Sequence, residues 1–332
     1  KAKALKKRAA AALDEYRETH ALSADALADR LVPDLDFDAR GELVLDYGPR
    51  QFRVVFDETL KATLRDGDKP VKSIPRAQPT DDEAKVARAQ ATWAAIKTET
   101  KTLMEAQARR LERAMCARRR WSREEFTKYL HRHPLMQHLA RRLVWGAFDR
   151  AGALLATFRV AEDGSFASGD DAAFELGEAH QAIGIVHPLA LGPAACAAWG
   201  DLFGDYQIVQ PFPQLARELY TLTPAESMGA KLTRFEGTPI AGGRFFSLKH
   251  RGWDFSEDYD LGKKLSDGSS VHLATEPGLG FLVEKPEDQT LGVVTLEHFY
   301  WQDASPRAET FGALDPIDVS EVLRDIELLK RV

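Results

Sequence analysis

The sequence predicts an α+β protein: a helical first half carrying a small β-meander, then a mixed sheet with flanking helices. Three observations carry that expectation. Large apolar residues recur at helical spacing through residues 82–119. Short runs rich in Val, Ile, Leu, Phe and Tyr, bracketed by turn dipeptides, fill residues 42–74 and recur beyond residue 153. The texture changes at Asp149, where helical patterning gives way to strand patterning.

Residues 1–31 read as two helices, Lys1 to His20 and a second capped by Ser23 that stops before Pro33. Glu42–Tyr47 and Gln51–Phe56 flank the turn Gly48-Pro49. Thr63–Arg65 and Val71–Ile74 flank Asp66-Gly67, completing an antiparallel meander. Thr80-Asp-Asp-Glu83 reads as a capping box, Thr80 and Glu83 each satisfying the other's free N–H, and opens a helix to about Arg119. Val86, Trp93, Ile96, Leu103, Met104, Leu111 and Met115 form its apolar stripe. Ser122-Arg-Glu-Glu125 is a second capping box, opening a short helix to His131. Pro134 fits the first turn of a third helix, to about Phe148. Leu154–Val160 reads as a strand ending at an Asp163-Gly164 turn, Ile183–Val186 as a buried strand and Pro193–Phe203 as a helix. Thr223-Pro-Ala-Glu226 is a third capping box. Val271–Thr275, Gly280–Val283 and Val293–Tyr300 read as strands, and Asp318, boxed by Glu321, caps a last helix to Val332. The chain accordingly divides into residues 1–80 (helices plus meander), 81–150 (the long helix and two shorter ones) and 151–332 (an α+β domain).

Composition narrows the function classes. Apolar residues make up 44% and charged residues 29%, a globular balance that excludes a disordered chain. No run approaches eighteen apolar residues, so no bilayer-spanning helix is expected, and the location reads as cytoplasmic. Two distant cysteines, Cys116 and Cys196, argue against a disulfide scaffold or a cysteine zinc site. The start at Lys1, with no Met or leader pattern, reads as a piece cut or processed from a longer protein. Residues 1–150 hold 31 Lys and Arg against 23 Asp and Glu, a net +8. Residues 151–332 hold 14 against 28, a net −14. Such a split implies two surfaces with different partners, or two halves that attract each other.

Three groupings can carry chemistry. Arg109, Arg110, Arg113, Arg118, Arg119, Arg120 and Arg123 cluster where the long helix ends, followed by Arg132, Arg141 and Arg142. Arginine forks suit phosphates and Trp121 suits stacking, so this stretch is the nucleic-acid candidate. The plainer alternative is a solvated helix end, favoured by the helix dipole. His131, His133 and His138 have imidazole spacing seen at zinc or copper sites, but Pro134 interrupts them and no further ligand completes a set, so no metal or cofactor is expected. The densest polar grouping joins His187, Gln210, Gln214, Arg217 and Glu226. His187 follows an apolar run, where it could act as acid or base, and Arg217 could hold an anion. The structural alternative is stronger. Glu226 is already a capping residue, and Pro211 and Pro213 leave a backbone that needs side-chain partners. No GxGxxG, GxxxxGK[ST] or GxSxG spacing accompanies these residues, so an enzyme is the less favoured class.

His187-Pro-Leu, the helix around Trp199 and Gln210-Pro-Phe-Pro-Gln214-Leu-Ala-Arg217 resemble the DUF4132 family of bacterial proteins labelled molybdate-metabolism-regulator-like. Leu45-Asp-Tyr-Gly-Pro-Arg50, Arg120-Trp-Ser, His133-Pro-Leu, Arg142-Leu-Val-Trp-Gly146 and Ser320-Glu-Val-Leu-Arg324 look like further segments of it. The resemblance implies a long multidomain parent, sometimes with a WGR domain. It also implies partners among AAA+ ATPases and von Willebrand A proteins, and it implies no chemistry. No Trp-Gly-Arg triplet occurs here, since Ala147 follows Trp145-Gly146, so nucleic-acid binding through that domain does not carry over. The expected function is an interaction or regulatory module, docking protein partners that include the rest of the same polypeptide. The alternatives are phosphate-backbone binding by the arginine-rich stretch and an undescribed enzyme or anion site at His187 and Arg217.

Overall fold

A computed structural model describes residues 2–255, 261–279, 287–297 and 308–331. It resolves into two compact units. The first comprises Lys1–Met104, Trp121–Arg142 and Val160–Ser165; the second comprises Glu105–Arg120, Leu143–Arg159 and Phe166–Val332. The fold is α+β throughout.

In the first unit, α1 spans Ala2–Thr19 and α2 spans Ala24–Arg30, the latter capped by the Ser23 side chain accepting from Ala26 N–H. The meander follows as β1 (Leu43–Asp46), β2 (Gln51–Phe56), β3 (Ala62–Asp66) and β4 (Lys69–Val71), antiparallel in that order. Leu45, Phe52, Val54 and Leu64 are its buried faces. The long helix α3 runs over Glu83–Cys116. Its cap is Asp82, which accepts from Lys85 N–H, and not the expected Thr80–Glu83 box. Asp81 is taken by Arg50 and by Gln78 N–H, which holds Thr80 and Asp81 outside the helix. The stripe at Val86, Trp93, Ile96, Met104, Leu111 and Met115 is buried, with Leu103 half-buried. The helix stops at Cys116 rather than Arg119. Arg118 turns to φ +52, so that its own N–H reaches Met115 O and Arg119 N–H reaches Ala114 O, a Schellman cap made without glycine.

The Ser122–Glu125 box forms as expected and opens α4 (Arg123–Phe126), which continues as a π-helical turn, Thr127–His131. The next helix, α5, covers only Met136–Ala140. The expected continuation to Phe148 is wrong. Trp145–Phe148 is strand β5, buried at every residue and flanked by two neighbours. Four buried residues with Gly146 among them fit the middle of a sheet, where a Cβ on Gly146 would collide with Val186 and Leu154.

Among the described residues the second unit holds two sheets rather than one mixed sheet, and every strand pair described in them is antiparallel. Where consecutive strands pair through a connection of a few residues, as Trp145–Phe148 does with Leu154–Val160, only the antiparallel arrangement is possible. The first sheet combines β5 with β6 (Leu154–Val160), β7 (Phe166–Ala167), β8 (Ala173–Phe174) and β9 (Ala182–Ile185), in the order β8-β7-β6-β5-β9. Helices α6 (Pro188–Leu191) and α7 (Pro193–Asp205) follow, then α8 (Pro224–Ser227) with the expected Thr223–Glu226 box.

The second sheet uses β10 (Lys231–Leu232), β11 (Pro239–Ile240), β12 (Trp253–Phe255), β13 (Leu261–Lys264), β14 (Ser270–Glu276) and β15 (Gln289–Glu297), with the short helix α9 (Phe246–Lys249) ahead of β12. Its path is β10-β15-β14-β13-β12, with β11 also on β15. The strand expected at Gly280–Val283 and the end of the one at Val293–Tyr300 lie outside the described residues. Helix α10 (Pro316–Lys330) packs Val322, Leu323 and Ile326 with Trp253, Val271, Leu273 and Val294 in one core. It starts a turn earlier than expected. Asp315 caps it and Pro316 takes the first position, so Asp318 is no cap and Glu321 is no box partner.

Candidate functional site

The polar grouping centred on His187 and Arg217 assembles within the second unit, and α10 supplies its centre. Pro188 sets the start of α6, which puts His187 at the N-cap. Its Nδ1 accepts Leu189 N–H at 3.2 Å. The proton therefore sits on Nε2, which donates to Glu321 Oε1 at 3.0 Å. Arg217 grips the same carboxylate with one bidentate fork, Nε to Oε1 at 2.7 Å and Nη2 to Oε2 at 2.5 Å. Its Nη1 donates to Glu112 Oε1 at 2.7 Å and to Pro213 O at 3.4 Å. Cys116, at the last turn of α3, donates its thiol proton to Glu321 Oε2 at 3.3 Å and accepts from Arg217 Nη2 at 3.2 Å. Three segments, the end of α3, the N-cap of α6 and the Pro213–Arg217 turn, thus converge on one carboxylate of α10.

The group is buried and its charges are paired. The side chains of His187, Arg217 and Glu321 are 1%, 2% and 4% exposed. Burial alone would raise the Glu321 pKa, but the Arg217 and His187 contacts override it and hold the carboxyl well below its usual range. Burial, with Glu321 beside it, pushes the Cys116 thiol well up, so the sulfur stays protonated and poorly nucleophilic.

Gln214 works one step away and serves the backbone. Fully buried, its Nε2 donates to Val144 O and Val186 O, and its Oε1 accepts Val144 N–H. It ties the ends of β5 and β9 where their own ladder stops. Gln210 donates to Gln214 Oε1 and accepts Leu215 N–H, closing the proline-rich turn. Glu226 is not part of this group. It pairs with Arg234 and caps α8, and Arg234 above all draws its pKa down to about 2. One wall of the Cys116–Glu321–Arg217 group opens on a cavity of about 380 Å³, which Lys263 and Asp325 also line.

The family described as "Domain of unknown function (DUF4132)" matches residues 68–253, more than half of the chain. The chain belongs to the DUF4132 family. It is also similar to a protein of Escherichia coli (strain K12) described as "Uncharacterized protein YehI", with 34% identity over 330 residues. That alignment covers 97% of this chain and 26% of the relative, so the chain spans about a quarter of the relative's length. No solved structure matches.

In this DUF4132 chain the arginine-rich stretch is largely engaged. Arg110 is buried against Gln107, and Arg118 pairs with Asp315, Asp318 and Ser266. Arg120 lies 3.6 Å over the Phe148 ring, and burial, with Arg118 nearby, lowers its pKa to about 10. Trp121 is buried and donates to Asp29 at 2.8 Å. Arg109, Arg113 and Arg123 are exposed, and Arg119 is half-buried. The three histidines each serve a different backbone carbonyl: His131 that of Gly164, His133 that of Val32 and His138 that of Gly41. Among the described residues no group of three His, Cys, Asp or Glu is placed to hold a metal. Sequence reasoning missed Glu321, Glu112 and Cys116. The available signal was a charge at Glu321 set among Val319, Val322, Leu323 and Ile326, a carboxylate on an apolar helix that must find a buried partner.

Proposed function

We propose that this DUF4132 segment is an interaction or regulatory module without chemistry of its own, and that its foremost partner is the remainder of the longer polypeptide in which such segments occur. One observation carries the reading. The residues best suited to catalysis are spent on the fold: both nitrogens of His187 are bonded, Arg217 is bound by two carboxylates, and Cys116 is held protonated. A general base or nucleophile needs a free position toward substrate, and neither His187 nor Cys116 keeps one. Phosphate-backbone binding draws less support, because Arg110, Arg118, Arg120 and Trp121 already have partners inside the protein. The surface offered for docking is the acidic second half, where Glu175, Glu178, Asp201 and Asp205 are exposed. The test is titration calorimetry of this chain against the separately purified remainder of a full-length family member. The expected result is a stoichiometric complex weakened by salt and by reversing those four acids to Lys. No heat with both pieces folded would refute it.

A further inference from the structure

We propose that the cavity in the second unit is a binding site for a small organic oxyanion, a carboxylate or phosphate monoester carrying a short apolar body. The charge balance of its wall carries the argument. Asp325, on α10, is buried, and its Oδ2 is already shared by Trp253 Nε1 at 2.9 Å and Lys263 Nζ at 2.7 Å. Arg251 reaches the same carboxylate only at 3.7 Å, through Nε to Oδ1. Two cations therefore face one carboxylate. The other carboxylates of the wall have cations elsewhere: Glu321 has Arg217, Glu112 has Arg217 and, at 4.0 Å, Arg324, and Asp318 has Arg118.

The unused donors lie on the surplus cations. Among the described residues, Arg251 Nη1 is buried without an acceptor, and Lys263 is hydrogen-bonded to Asp325 alone, through one of its three N–H groups. A guanidinium does not discharge by losing a proton, so an unmatched buried fork is met by an incoming anion or remains a standing cost. Burial would lower the Lys263 pKa, but Asp325 raises it overall, so the ammonium also keeps its charge. These cations stand out against a half of the chain that is net −14, with 14 Lys and Arg against 28 Asp and Glu. The remaining wall includes Ala117 and Leu265, apolar surface that a hydrocarbon body would cover. About 380 Å³ lies at the small end of ligand-sized cavities, suiting a single-ring acid better than a nucleotide.

This inference does not depend on the docking reading above, and either can fail alone. The experiment is calorimetry and thermal melting of the whole chain with four probes: phenyl phosphate, benzoate, inorganic phosphate and benzyl alcohol. Phenyl phosphate or benzoate is expected to bind and raise the melting temperature, the stronger of the two naming the head group. Inorganic phosphate and benzyl alcohol, each lacking one half of the recognition, are expected to bind at least about tenfold more weakly. Arg251→Gln, at a half-buried side chain, is expected to melt like wild type and to lose about tenfold or more in affinity for the better probe. If that variant melts early, the salt dependence of the wild-type affinity replaces it, since an ion held by two cations weakens as salt rises. Absence of binding by both aromatic anions, inorganic phosphate binding as tightly as phenyl phosphate, undiminished affinity in a folded Arg251→Gln, or affinity indifferent to salt would each overturn the proposal.

Discussion

Removing the guanidinium of Arg217 tests the reading of the buried cluster directly. In Arg217→Ala the Glu321 carboxylate, 4% exposed, keeps only His187 and Cys116 as donors and loses both arginine hydrogen bonds. Glu112 loses its bond as well. Breaking a buried pair by deleting one partner costs about 3–5 kcal/mol, because the other charge stays behind without compensation. For a unit of roughly 150–250 residues, each kcal/mol is about 2–4 °C, so the melting temperature should fall by about 6–20 °C. The pH profile sharpens the test. In wild type the Glu321 pKa is depressed, so its contribution is full above the unfolded value of 4.5 and is lost as pH falls below it. In the variant, burial dominates and the carboxyl takes up a proton more readily. The stability gap between the two proteins should therefore narrow as pH drops from 7 toward 4. The double variant Arg217→Met with Glu321→Leu removes both charges and should recover much of the loss. Calorimetric melting of the three proteins across that pH range is the assay. A single variant losing less than about 1 kcal/mol, or a gap that stays constant with pH, would refute the claim that this pairing is buried architecture.

Trp93→Ala should cost about 3–5 kcal/mol in urea unfolding, the usual range for a large aromatic cut from a packed face. A wild-type midpoint would show that the α3 stripe is not packed. His138 is held neutral, burial above all lowering its pKa from 6.5 to about 4, so wild type should lose up to about 3 kcal/mol as pH falls through that window. His138→Gln, which keeps a donor for Gly41 O, should flatten that part of the profile. Gly146→Ala should destabilise by about 1–3 kcal/mol, since a methyl there meets Val186, Leu154 and Phe148 in the middle of the first sheet of the second unit. A neutral effect in melting experiments would mean that β5 is less tightly packed than described.

Local chemistry made much of the fold legible. Ser23, the Ser122–Glu125 and Thr223–Glu226 boxes, the Gly48-Pro49 and Asp66-Gly67 turns and the α3 stripe all act over three or four residues, and each appears where its residues dictate. What stayed hidden was decided by distant partners. Trp145-Gly-Ala-Phe148 continues a helical pattern locally and becomes a strand because β6 and β9 flank it. Thr80 looks like a cap, but Arg50 holds the neighbouring Asp81, and the helix starts at Asp82 instead. At the site, His187, Gln214 and Arg217 could be singled out from their proline-bounded segments. Glu321 could not be joined to them, because the contact spans more than a hundred residues and a capping role explained it more cheaply.

The convergence on Glu321 also sets an order of events during synthesis. The carboxylate lies 205 residues from Cys116, 134 from His187 and 104 from Arg217. Until α10 has been made, Arg217 has only Glu112 as a carboxylate partner, His187 Nε2 lacks its acceptor, and the second sheet lacks the helix that covers its core. The second unit therefore closes only once α10 is present, through contacts of high sequence separation that make folding slow. A ribosome-bound or truncated chain ending before Pro316 should expose the apolar face of that sheet and depend on chaperones. The first unit's meander closes through pairs only a few residues apart and can form while the rest of the chain is still being synthesised.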